Sequence, residues 1–207
     1  MAEAYSCCTT DYLCLLDGDQ HASGANIADA LATAVALRPV DMVVGQFWDP
    51  EPTILSGTLG LYTPLMQTFF PECEDRFGSR PLSGFRALRA GMDLGAIPPG
   101  YGLEAHLNCQ MIIAGAQSAI ADIGWYRGAY RRKDSMAIEI ADGVLDQAER
   151  CGRLPAARRT AWDGWVKTVA GELARYEGEL ADAAAARLRM HAALARPRPW
   201  SHAIVAS

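Results

Sequence analysis

Asp17 and Asp19, separated by a single glycine, are the residues of this sequence best suited to chemistry. Two carboxylates at that spacing can share a hard divalent cation, Mg2+ or Mn2+, which prefers oxygen ligands and is commonly completed by substrate phosphates. Gly18 permits the tight geometry between them. Taken alone, the pattern is also that of an acidic turn capping the helix after it. A third carboxylate, Glu104, stands in Gly100-Tyr101-Gly102-Leu103-Glu104 at a loop-to-helix junction, where the helix dipole favours negative charge. It reads either as a ligand-holding acid or as a charge that merely stabilises the helix. His106 and Asn108 follow within one turn, and a lone histidine on such a mixed helix is first a satisfied structural residue. In Arg80-Pro81-Leu82-Ser83-Gly84 the glycine allows close backbone approach to a ligand. Arg127, Arg131, Arg132 and Lys133, interleaved with aromatic residues, form the one basic cluster. It can clasp a diphosphate or an anionic acceptor, or be a solvated loop.

The elements that must position these residues are legible around them. Tyr12-Leu13-Cys14-Leu15-Leu16 is a short, continuously apolar run, which predicts a strand buried on both faces of a parallel sheet. Asp17 then falls at its carboxyl end, where open α/β sheets bind ligands. Asn26 to Leu37 carries apolar residues at helical spacing and ends before Pro39, and Asp41 to Phe47 reads as a second buried strand. Strand, helix, strand is a βαβ unit, expected to cross over right-handed. Residues 49–63 are rich in Gly and Pro and predict a loop; a helix over Leu65–Phe70 follows. Phe77 to Leu88 is a loop entering a short strand, Leu103 to Ile113 a helix, and Ser118 to Gly124 another strand. From Ser135 the texture changes to helix. Trp162, Trp165, Val166, Val169, Leu173, Tyr176 and Leu180 recur at three- and four-residue steps, an amphipathic stripe for the core or a subunit interface.

Composition narrows the function classes. The 207 residues suit one domain with a helical appendage. A net charge of −5 argues against a nucleic-acid or anionic-membrane surface. No apolar window is long enough for a transmembrane helix, and the N-terminus lacks the basic start of a secretory signal, so cytoplasmic residence is the expectation. Six cysteines without paired spacing are a poor zinc pattern and read as reduced packing residues.

The phosphotransfer site of haloacid-dehalogenase-like enzymes also places Asp-x-Asp after a buried strand. That family has Thr or Val where this sequence has His21, and its later acidic pair has no counterpart here. The ordered set of Asp17-Gly18-Asp19 after an apolar strand, Phe69-Phe70-Pro71-Glu72, Arg80 to Gly84 and Gly100 to Glu104 instead resembles the family 2/81 glycosyltransferases of the GT-A fold, glucosyl-3-phosphoglycerate synthase and its relatives. The resemblance covers roughly residues 5–150. It implies that Asp19 binds the metal and that Asp17 assists at the metal or the ribose. It further implies that Leu82, Ser83 and Gly84 face the donor sugar, and that Tyr101, Gly102 and Glu104 line the sugar and acceptor pocket. The implied reaction is transfer from a UDP- or GDP-sugar with retention of configuration, the metal and basic residues such as Arg127 and Arg131 stabilising the diphosphate.

Three departures shape the expectations. The family carries about a hundred residues ahead of its metal loop that grip the uridine, whereas here Met1 stands a turn or two before the first strand. A truncated chain, a second chain supplying that half, or a lost donor site would each account for this. The family's acceptor motif of Arg, Thr and Glu keeps only its glycine in Gly57-Thr58-Leu59-Gly60-Leu61, and no His follows the last strand near Gly124–Lys133. The sequence therefore predicts a partial, Rossmann-like GT-A α/β sheet flanked by helices over 1–134, a helical extension over 135–195 and a flexible tail over 196–207. The expected partners are a nucleotide-sugar, an unidentified acceptor, and a second chain or a homodimer through the C-terminal helix. The alternative is a non-catalytic or split half-domain serving as a binding or assembly module.

Overall fold

The computed structural model describes residues 2–18, 20–23, 26–48, 57–73, 75–128, 135–176 and 198–199. The chain opens with helix α1 (Ala2–Ser6), strands β1 (Tyr12–Leu15) and β2 (Gln20–Ser23), helix α2 (Ile27–Leu37) and strand β3 (Met42–Trp48). Helix α3 (Thr63–Phe69), strand β4 (Arg86–Arg89), helix α4 (Leu103–Ile113) and strand β5 (Ser118–Gly128) follow. Helices α5 (Met136–Arg150) and α6 (Ala156–Tyr176) close the described fold.

The sheet order is β1-β4-β3-β5, with β2 paired to the far end of β5. Strands β1 and β3 each pair antiparallel with β4, so they run the same way without touching; β5 lies parallel to β3. Met42, Val43 and Val44 make β3 the central strand, each fully buried. Alternation sends Met42 and Val44 into the large core with the later helices, and Val43 into a smaller one beneath α2. The result is three layers, α2 on one face and α3 to α6 on the other. This is a mixed α/β sheet of the partial GT-A, Rossmann-like kind that the sequence predicts. The carboxyl ends of β1, β3 and β5 share one rim.

The structure corrects several expectations. Strand β1 is an edge strand with an antiparallel neighbour, and it is only half-buried, Cys14 being exposed. A short apolar run cannot distinguish the two situations, because the strand that covers β1 lies some 70 residues ahead of it in sequence (Tyr12 opposite Arg89). Thr58–Tyr62, expected as loop, is a π-helical turn running into α3, with Leu61 and Tyr62 buried against the core. Strand β5 passes the predicted end at Gly124 and continues to Gly128, absorbing an irregularity of register opposite Gln46–Trp48.

The aromatic stripe is core. Trp162, Trp165, Val166, Val169 and Leu173 are all buried, and the Trp162 ring meets Phe69 edge-on at 4.9 Å. The expectation that this stripe presents a dimer surface is corrected to that extent, since α6 folds back on α3, α5 and the 58–62 turn of its own chain. Tyr176 ends the helix, and Leu180 lies outside the described residues. Arg159 of α6 ties the two last helices by pairing with Asp142, Asp146 and Glu149 of α5. Arg198 of the tail donates to Thr68 and Gln67 on α3. All six cysteines are free, and among the described residues no helix is long and apolar enough to cross a membrane.

Candidate functional site

Asp17 stands two residues beyond the end of β1, exposed on the rim. Its carboxylate lies so close to Gly84 that a Cβ there would overlap it. Only glycine lets the 81–84 loop and the acidic turn meet in this way.

The loop itself is held from below by Arg86, a fully buried guanidinium at the first position of β4. Its Nε donates to Ser83 O at 2.8 Å, Nη2 to Pro81 O at 2.6 Å and Nη1 to Asn108 Oδ1 at 2.7 Å. Asn108 of α4 in turn donates to Pro81 O and to the Tyr62 hydroxyl. Buried polar groups that are this fully bonded specify one arrangement, because leaving any of them unpaired is costly. Burial lowers the Arg86 pKa, and Glu104, Tyr62 and Asp17 act against that shift.

Glu104 sits in the first turn of α4, half-buried. Burial pushes its carboxyl above the ordinary range; Arg86 pulls it back, and Asp17 pushes it up further. One buried cation thus lies in the fields of both carboxylates, one on the rim and one in the wall. Desolvation plus specific charge partners is the pattern of pKa perturbation that marks functional sites as well as structural ion networks.

The remaining candidates are placed as follows. Ser83 is buried, its Oγ accepting from the Phe85 amide, so it shapes the turn from inside. Leu82 is half-buried and packs against the large core. Tyr101 is half-buried, its amide donating to Glu139 of α5 at 2.8 Å, and Gly102 is buried at the start of α4. Arg127 lies in β5 opposite Ala22, and Gln20, the residue after Asp19, pairs with Gly128. The backbone register therefore brings the acidic turn to the head of the basic stretch. Asp19 and Arg131, like Arg132 and Lys133, lie outside the described residues.

His106 is a satisfied core residue. It is buried, with Nε2 bonded to Leu94 O at 2.7 Å and Nδ1 accepting from Gln147, and burial lowers its pKa. A cleft of about 340 Å3 opens between α3 and the 75–81 segment, lined in part by Tyr62, Met66, Phe70, Arg76, Phe77 and Pro81. It reaches the site only through Tyr62 and Pro81, since Asp17, Glu104 and Tyr101 do not line it.

Sequence reasoning missed Arg86 and Gln46. Arg86 interrupts the apolar run Phe85–Leu88, and a charge in a buried strand must have partners. Gln46 on β3 donates to Phe77 O and Arg80 O, and its Oε1 accepts from Ser79 and the Arg80 amide. Those four bonds fix the approach to the 81–84 loop, and nothing in the sequence around Gln46 distinguishes it.

A divalent cation suits the donor chemistry at Asp17. Hard cations such as Mg2+ take one or two protein carboxylates and fill the rest of the shell with water and phosphate oxygens. Among the described residues no group of three or more His, Cys, Asp or Glu side chains gathers to form a complete protein cage.

Comparison of the sequence with models of protein families and with curated proteins finds no match. The fold does match solved structures of GT-A glycosyltransferases. One is mannosyl-3-phosphoglycerate synthase from Rubrobacter xylanophilus, with a TM-score of 0.61 and 21% identity over 73% of this chain and 50% of that one. Another is glucosyl-3-phosphoglycerate synthase from Mycobacterium tuberculosis, solved with Mn2+, UDP and glucosyl-3-phosphoglycerate. It gives a TM-score of 0.55 and 18% identity over 70% of this chain and 52% of that one. At such identity the likeness establishes the fold. The chain spans about half the length of these structures.

Proposed function

We propose that this chain is the acceptor-side part of a metal-dependent glycosyltransferase. In this reading it moves a sugar from a UDP- or GDP-sugar to a small or anionic acceptor with retention of configuration. The observation that carries the reading is the meeting of Asp17 with Gly84, in the loop that Arg86 holds from below by its bonds to Pro81 O and Ser83 O. Three segments far apart in sequence converge on one rim of a GT-A sheet. The solved relatives in fold, one of them holding Mn2+ and UDP, support the same assignment.

Asp17 and Asp19 would hold Mg2+ or Mn2+, which when bound offsets the charge of the departing diphosphate. Arg127 and Arg131 would grip the diphosphate from the β5 side. Leu82, Ser83 and Gly84 would meet the donor sugar through the backbone of their loop, since Ser83 itself is turned inward. Glu104, with Tyr101 and Gly102, would orient sugar hydroxyls or the acceptor. Its raised carboxyl suits hydrogen bonding to neutral hydroxyls in a partly dry wall. In the transfer the bond from the anomeric carbon to the diphosphate oxygen breaks and a bond to the acceptor oxygen forms, the acceptor losing its proton.

In this reading residues 1–134 carry these groups and 135–195 are the helical extension, whose described part is α5 and α6 up to Tyr176. The same reading has the protein act in the cytoplasm. The alternative, a non-catalytic or split half-domain, would have used the aromatic stripe as its partner surface, and among the described residues that stripe is internal.

The test is turnover of UDP-glucose and GDP-mannose with Mn2+ and with chelator. Release of nucleoside diphosphate should require the metal and should fall at least about a hundredfold in Asp19→Ala, the scale expected for losing a principal charge-stabilising group. Unchanged turnover in that variant refutes the assignment.

A further inference from the structure

The loop Gly100–Gly102 packs against one face of α5. Glu139 Oε2 accepts the Tyr101 amide at 2.8 Å, and a Cβ at Gly100, whose φ is +79°, would run into the same carboxylate. One helical turn further along, Gly143 touches the loop backbone: a Cβ there would lie 2.5 Å from Gly102 O and 3.2 Å from Gly102 Cα. Reciprocally, a Cβ at Gly102 would lie 2.6 Å from Glu139 O. Residues 139 and 143 are four apart and share a helix face. Together with the two loop glycines they form a keyed joint in which backbone meets backbone and one carboxylate locks the register. Beyond Gly102 the same chain enters α4, whose first turn carries Glu104.

We propose that Glu139 is a positioning residue for the sugar and acceptor pocket, setting Tyr101 and Glu104 through this joint. The inference rests on the glycosyltransferase reading for its catalytic consequence, but not for its structural content. It gives α5 a role beyond packing: the helical extension fixes the pocket wall from behind. The Tyr101 amide lies in the short 3-10 turn Gly100–Gly102 that leads into α4, where the first amides have no partner within the turn and Pro99 ahead of them offers no capping side chain. Glu139 supplies the partner from α5.

The test pairs amide hydrogen exchange of residues 100–104 with turnover of UDP-glucose in the presence of Mn2+. Variants Glu139→Ala, Glu139→Gln and Gly143→Ala are compared with the unaltered chain. Glu139→Ala should speed exchange at Tyr101 at least about tenfold and lower kcat/KM roughly 10- to 100-fold, the scale of a misplacement near 1 Å. Mn2+–UDP affinity and melting temperature should stay close to the parent. Glu139→Gln keeps an acceptor oxygen and should recover most of both losses. Gly143→Ala should shift the loop and reproduce the kinetic loss with the carboxylate intact. Unaltered exchange at Tyr101 in Glu139→Ala overturns the inference. So does a kinetic loss that Glu139→Gln fails to recover, or one matched by an equal loss of UDP affinity or of thermal stability. If the unaltered chain turns over no nucleotide-sugar, the glycosyltransferase reading fails while the exchange measurement still decides the joint.

Discussion

Arg86 is the residue on which the site turns. It is fully buried, it donates to the carbonyls of Pro81 and Ser83, and its charge lies in the fields of both Glu104 and Asp17. The acidic candidates were legible in sequence as carboxylates after a strand and at a helix start, each with a structural reading beside the chemical one. The cation beneath them was not, because its partners come from residues 81, 83 and 108, which only the fold assembles. Glu104 gives a pH signature with a definite sign. Burial raises its carboxyl above the ordinary value of 4.5, so the folded chain holds that proton more tightly than the unfolded chain. Its contribution to stability is therefore greatest below the ordinary value and is lost as pH rises through the raised one. Melting curves should show Glu104→Gln gaining relative to the parent as pH rises from about 4 toward neutrality. A constant difference across that range would mean that burial does not perturb the carboxyl.

At the scale of elements, α2 and α4 were predicted nearly to the residue. α2 carries apolar residues at helical spacing, which leaves a clear pattern, whereas α4 buries Ala105 to Cys109 in succession and was bounded by the turn-prone 98–102 loop ahead of it. Strands β1, β3, β4 and β5 were found in the right places, whereas β2 and its pairing with the far end of β5 were not foreseen. β1 reads as a buried parallel strand and proves to be an edge strand beside β4, because pairing partners are not encoded in a four-residue run. The π-helical turn at Thr58–Tyr62 was hidden by its glycines, whose local preference is overridden by burial of Leu61 and Tyr62. Helix α6 was predicted as an apolar stripe whose destination the sequence left open. Its central Trp162, fully buried against Phe69 and Trp165, should be its chief anchor. Trp162→Ala should cost about 3–5 kcal/mol in chemical denaturation, the range for deleting a large buried aromatic side chain. A loss under about 1 kcal/mol would place the stripe outside the cooperative core.

For the molecule as a whole, the fold puts the carboxyl ends of three like-running strands on one rim and stacks four helices behind the face that carries Glu104. The rim collects the acidic turn, the 81–84 loop and the head of the basic stretch; the helices supply rigidity through one continuous core reaching from Met42 to Leu173. In the proposed reading this division lets an acidic chain meet an anionic substrate. The overall charge of −5 is a property of the whole surface, while the diphosphate would meet the local charge of the metal and Arg127. The most direct measurement is calorimetric titration of the chain with UDP, with and without Mn2+. The account predicts saturable heat with the metal, its loss on chelation, and its loss in Asp17→Ala. UDP binding that ignores the metal, or none in either condition, would contradict it.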